Sequence, residues 1–391
     1  MKLLTYFFTF LAFLVSVSST QLMAADTTLN VTMSKIGGIM ARNYPLLVFP
    51  REMSDPQLVA MEADLRKLQG LFRTVEPYIR SKSDAYQLTL GIVRENIDQA
   101  IEAMENRQYG LARNRFRVTG SLCSNCHTQD NRLRTLFQGR QRAAFPDDLS
   151  YAEFNFSTRN YAEAEVYFDK YLRSDLVRYD SDIQLPLRRL LTIYTQVLNT
   201  PGEGVKQLES YLKLPRHSEL SRKYLQDIIE AMGQLNTTVN KELTSIKFSQ
   251  LEQYVMDILG GYFTPSPVMF SSPKQEVERV WLRGLLYRYL NEMAEVQEIP
   301  SILYWLSLCE RALGYNYDFS VSDYYLKACI KRYPYAPFAR SCYDEYESYL
   351  RFFHTSPIDP IFPREVAEEL AGLKKVLQKQ KYPNGKYLHV F

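Results

Sequence analysis

Cys123-Ser-Asn-Cys126-His127 places two thiols and an imidazole within five consecutive residues. Thiols three apart can add across a pair of vinyl groups to form thioethers. An imidazole beside the second thioether then lies under the same ring as an iron ligand. Cys-x-x-Cys-His is accordingly the attachment pattern of a c-type haem. The same residues would also serve as a redox dithiol or as half of a zinc site, but no second Cys pair exists to complete a zinc site. The expected cofactor is one covalently bound haem c, tethered through Cys123 and Cys126, with His127 as proximal iron ligand.

Covalent haem attachment requires an extracytoplasmic compartment, and the N-terminus reads independently as an export signal. Lys2 precedes an apolar run from Leu3 to Val17, followed by a polar stretch and the small residues Ala24 and Ala25. The run is shorter than the roughly 20 residues that span a bilayer. Residues 1–25 are therefore expected to be a signal peptide cleaved near Ala24 or Ala25, and the mature chain to be periplasmic without stable membrane insertion. Lys plus Arg number 47 against 44 Asp plus Glu, a net charge of +3. So small an excess gives no basis for a nucleic-acid partner. Cys309, Cys329 and Cys342 allow at most one disulfide. Cys329 and Cys342 flank a Pro-rich turn and are the pair to consider, while three buried free thiols are the expected state.

The chain has 391 residues, 46% of them hydrophobic, enough for two cores. From Leu29 to about Phe137 the apolar residues recur at helical spacing. A first helix runs from Leu29 to Tyr44 and stops at Pro45. A second carries Leu58, Met61, Leu65, Leu68 and Phe72 and ends around Pro77. A third is capped by Ser83 or Asp84 and has an inner face of Ile92, Val93, Ile97, Ala100, Ile101 and Met104. The fourth starts after Asn106 and contains the haem motif. Four amphipathic helices with short connections pack as an antiparallel bundle.

The stretch Phe116-Arg-Val-Thr-Gly-Ser-Leu-Cys-Ser-Asn-Cys-His127 resembles the last helix of class II c-type cytochromes, the cytochrome c′ and c556 group. The resemblance covers about 110 residues and implies a four-helix bundle over 26–145, with the haem motif near its end. It also directs the search for a sixth ligand to the first helix, where six-coordinate members carry Met. Met33 is the candidate, and Met40 lies two turns further along the same face. A thioether suits haem iron and raises its potential, but two Met at this spacing also serve as core filler. If Met33 only packs, the resemblance implies a five-coordinate iron that binds nitric oxide or carbon monoxide. His217, His354 and His389 could in principle supply a second imidazole, but each lies outside the bundle and reads as a surface or turn residue. The family's Arg four residues beyond the haem His is Asn131 here, so Arg132 or Arg134 is the candidate propionate contact. Family members are often dimers, so a homodimer is a possible assembly.

Beyond Pro146 two segments align at an offset of 40, pairing Ala164 with Gly204, Phe168 with Leu208 and Tyr171 with Tyr211. The first resembles the second helix of a tetratricopeptide repeat. Similar character returns in Tyr324–Pro334, with Pro334 at a repeat end. Residues 146–391 are thus expected to form a tetratricopeptide-like helical domain, possible as two lobes divided at a loop across 260–273. The region from Leu220 to Arg279 does not align, and an irregular helical domain is the alternative. Stacked helix pairs commonly bind proteins, and the clustered Tyr315, Tyr317, Tyr324 and Tyr325 suit either an interface or interhelical packing.

The expected fold class is all-α. No catalytic constellation, phosphate loop or second metal cluster is visible, so the chain is not expected to be an enzyme. The leading expectation is a periplasmic mono-haem c-type cytochrome in electron transfer, whose repeat domain docks a redox partner or another periplasmic protein. The alternatives are a gas-binding or gas-sensing haem protein and a repeat-based interaction protein with structural haem.

Overall fold

The computed structural model describes residues 28–47, 52–79, 84–127, 141–214, 218–239, 246–260, 271–314, 321–356 and 358–378. Among them the chain is helical, with no strand. None of the described helices is long and apolar enough to cross a membrane. The export segment, Arg132 and Arg134, the loop across 261–270, Tyr315, Tyr317, His217 and His389 lie outside the described residues. The chain divides into two compact units, one ending at Tyr167 and the other beginning at Phe168.

In the first unit α1 spans residues 28–47, and its buried stripe is Met33, Ile36, Met40, Tyr44 and Leu47, at steps of three and four. The helix continues through Pro45 instead of stopping there. A proline this close to the end removes a single ladder bond, and buried Leu47 anchors the last turn. The second helix, α2 (Asp55–Ile79), ends two residues past Pro77.

Asp64 of α2 joins the first two helices. Its carboxylate accepts 2.7 Å bonds from Arg42 Nε and Asn43 Nδ2. Burial pushes the Asp64 carboxyl up, but the hydrogen bonds from Arg42 and Asn43 outweigh it and hold the carboxyl below its ordinary value. A depressed folded pKa contributes stability that is present above the unfolded value of about 3.9 and lost as pH falls through the folded one. Asp64→Asn is therefore expected to flatten the acid limb of the stability profile below about pH 4. Urea midpoints measured across that limb check it, and an unchanged slope in the variant would refute the assignment.

The helices α3 (Asp84–Glu105) and α4 (Tyr109–His127) complete this set. Arg66 pairs with Glu105, Gln69 with Asp98 and Glu76 with Arg94, so partner numbers fall along α3 as they rise along α2 and the two run antiparallel. Every residue named for the inner face of α3 is buried. At its C-terminus Arg107 takes the left-handed conformation (φ 58°), and the Gln108 amide returns to Ala103 O at 2.8 Å, closing the turn into α4. Asn96 Nδ2 then bridges α3 to α4, donating to Arg115 O at 2.6 Å and Thr119 Oγ1 at 2.8 Å. A fifth helix, α5 (Asp148–Ser157), capped by the Asp147 carboxylate, packs against the same set. Phe154 meets Tyr44 of α1 edge-on, with ring centroids 6.0 Å apart, and Phe145 at 5.1 Å.

The helix α6 (Tyr161–Arg173) carries the division between units. The second unit continues with α7 (Asp180–Leu191), which widens into a π turn over Thr192–Val197, then α8 (Pro201–Leu212) and α9 (Glu219–Val239). Next come α10 (Phe248–Leu259), α11 (Pro273–Glu292) and α12 (Ile299–Leu313). Last are α13 (Val321–Arg332), α14 (Pro337–His354) and α15 (Arg364–Gln378). Packing is mostly between helices near in sequence: α8 on α9, α11 on α12, α12 on α13, α13 on α14. The aligned positions are core. Ala164, Phe168, Tyr171, Leu208 and Tyr211 are buried, and Tyr211 Oη donates to Asp169 Oδ1 at 2.9 Å. Gly204 is needed for close approach, because a Cβ there would lie 2.9 Å from Tyr194 Cβ and would overlap Met232 Cε.

One expectation is corrected. Cys329 and Cys342 form a disulfide with Cα atoms 6.4 Å apart, while Cys309 is a buried free thiol. The turn after α13 folds α14 back on it, bringing two inward positions 13 residues apart face to face. The unit's centre is α11 with α12. It holds charge as well as hydrocarbon: Arg283 and Glu310 pair at 3.3 Å with both side chains under 5% exposed.

Candidate haem site

The motif occupies the C-terminal end of α4, which stays helical through His127. The side chains of residues 123–127 lie outside the described residues, so only their register is stated. At 100° per residue, positions 116, 120, 123 and 127 share one face, in steps of four, three and four. Upstream that face is core, with Ala112, Phe116 and Thr119 fully buried. The register thus continues a buried stripe into the haem motif.

Of the other predicted residues, Met33 and Met40 are both buried on α1, at 7% and 4% exposure. His354 is exposed at the end of α14. Arg132, expected near the propionates, is outside the described residues. Positive charge on α4 itself lies further upstream. Burial, and then the neighbouring Arg117, lower the Arg113 pKa from its ordinary value.

Three residues that meet beside this stretch of α4 escape sequence reasoning. Gly120 lies against the hydroxyl of Tyr44 from α1 and 3.3 Å, measured from a Cβ built there, from Ser157 Oγ of α5. Tyr44 and Ser157 are hydrogen-bonded to each other. An isolated glycine inside a helical pattern was the available signal for Gly120. Nothing local marks Tyr44 or Ser157, which stand 113 residues apart.

The donor chemistry fits a c-type haem. Two thiols and an imidazole fall at i, i+3 and i+4 on a helix end whose upstream face is buried, and a helix packed in the same unit offers buried thioethers. Among the described residues no cluster of His, Cys, Asp and Glu forms a competing metal site. Compared with models of known families, with curated proteins and with solved structures, the chain matches none.

Proposed function

We propose that this protein is a periplasmic mono-haem c-type cytochrome acting in electron transfer. In this reading α1 to α4 form a class II four-helix bundle and the second unit is a tetratricopeptide-like domain that docks a redox partner. The observation that carries it is Cys123-Ser-Asn-Cys126-His127 standing in register with the buried face of α4. The Cys329–Cys342 disulfide supports the compartment, because such bonds persist where thiols are oxidised. That is also where covalent haem attachment occurs and where an N-terminal export signal would deliver the chain.

Bound haem supplies a one-electron iron couple. The residues of this chain do the rest. Cys123 and Cys126 tether the ring, and His127 ligates one side. Phe116 and Ala112 keep water from the face that leads to it. Met33, buried on α1, would supply a thioether that serves both oxidation states of the iron, which would keep reorganisation small. Arg132 would neutralise a propionate.

The test is an optical spectrum of the exported protein, ferric and ferrous, with and without carbon monoxide. The expected result is a low-spin spectrum insensitive to carbon monoxide that Met33→Ala converts to a high-spin, carbon monoxide-binding one. A wild-type ferrous spectrum that is high-spin and shifts with carbon monoxide would instead make the protein a diatomic-gas binder.

A further inference from the structure

Tyr44 reaches α4 from α1 on the face that carries position 127. Gly120 stands seven residues before His127, so the two positions lie two turns apart on one side of the helix. A Cβ at 120 would overlap Tyr44 Oη. The hydroxyl is buried, with Tyr44 2% and Ser157 6% exposed. Its proton has a defined direction. Ser157 Oγ donates its single proton to Glu153 O at 2.9 Å, so in the Tyr44–Ser157 bond the phenol is the donor. A chain therefore runs from the α1 phenol through the α5 hydroxyl to an α5 carbonyl, while Phe154 holds the phenol ring edge-on.

A buried hydroxyl chain costs free energy unless every member is paired, and when complete it fixes geometry more sharply than apolar packing does. Phe and Ala would fill the same volume without that constraint. The chain also meets α4 where a glycine gives it no latitude. The helix that bears Met33 and the helix that bears His127 are thus keyed to each other through one oxygen atom.

We infer that Tyr44 and Ser157 are positioning residues of the haem site, setting the height and rotation of the last turns of α4, the helix whose His127 would hold the iron. The inference rests on the haem reading. Imidazole orientation and basicity are tuned by neighbours that do not themselves touch the metal, so the pair acts on the iron couple through His127.

The test uses the exported full chain with Tyr44→Phe, Ser157→Ala and the double variant. Covalent haem is read by intact mass, and the ferrous-to-ferric ratio by absorbance at one fixed ambient potential. Haem content is expected to match wild type, while each single variant shifts the ratio by about threefold. The double variant should shift it no further than the larger single, since both break one chain. If both single variants carry haem and melt earlier but leave the ratio unmoved, the pair is only structural and the inference is overturned. If the wild-type mass shows no haem adduct, the haem reading itself falls, and this inference with it.

Discussion

Replacing both Cys123 and Cys126 with Ala is expected to give an exported polypeptide without covalent haem, a complete loss and not a graded one. The thioethers need a sulfur at each position. With neither present, a ring held through His127 alone dissociates under denaturing conditions. Intact mass after denaturation reads the result directly: wild type should carry one haem adduct and the double variant none. Retained haem in the double variant, or none in wild type, would refute attachment at this motif. Iron ligation and packing around the ring would form only in the folded state, so the first unit of the variant should melt earlier. Cys309→Ala serves as the control. It removes the buried free thiol of the second unit and should leave the haem adduct unchanged.

In the second unit Glu310→Ala is expected to destabilise by about 3–5 kcal/mol, because it strips the charge partner from a buried guanidinium. Glu310 accepts from Arg283 Nη1 at 3.3 Å and from Tyr287 Oη at 3.0 Å. Tyr287 in turn shares a 2.6 Å hydrogen bond with Tyr325. Burial first, and then Tyr325 and Glu310, push the Tyr287 phenol well above its ordinary value, so it acts as a neutral donor. Replacing Arg283 and Glu310 together with Met should recover most of the loss, since apolar residues of similar volume need no partner. Arg340→Ala, at an exposed i,i+4 pair with Asp344, should cost under about 1 kcal/mol. Trp281 and Trp305, the chain's two tryptophans, are both buried in this unit. Their fluorescence in urea therefore reports its unfolding. Equal midpoints for Glu310→Ala and Arg340→Ala would show that the buried pair contributes nothing.

The helices were legible from the chain because amphipathic periodicity is local. The inner faces assigned to α2 and α3 are buried, apart from a half-exposed Leu58. Proline misleads the reading at one helix end: Pro45 reads as a stop, yet the helix runs on to residue 47, because a proline in a last turn forfeits too little to end a helix whose neighbours are packed. The cysteines were half legible. Cys329 and Cys342 could be seen to flank a turn, but whether they meet depends on how α14 folds onto α13, which spacing does not determine.

The candidate site divides the same way. The covalent chemistry proposed for it is written in five adjacent residues, because the two thiols and the imidazole it calls for stand within about one helical turn. The geometry that would aim that chemistry is not. Tyr44, Gly120 and Ser157 are unremarkable individually, and Arg283, Gln196 and Glu310 look like ordinary polar residues of separate helices. Gln196 Oε1 accepts from Arg283 Nε at 3.0 Å across 87 residues of chain. The sequence by itself determined the helical class and the residue types able to hold haem, since both follow from contacts between near neighbours. Only the tertiary structure decided which buried polar groups complete one another, because pairing in a dry core depends on which helix faces meet, and that is a property of the whole packing.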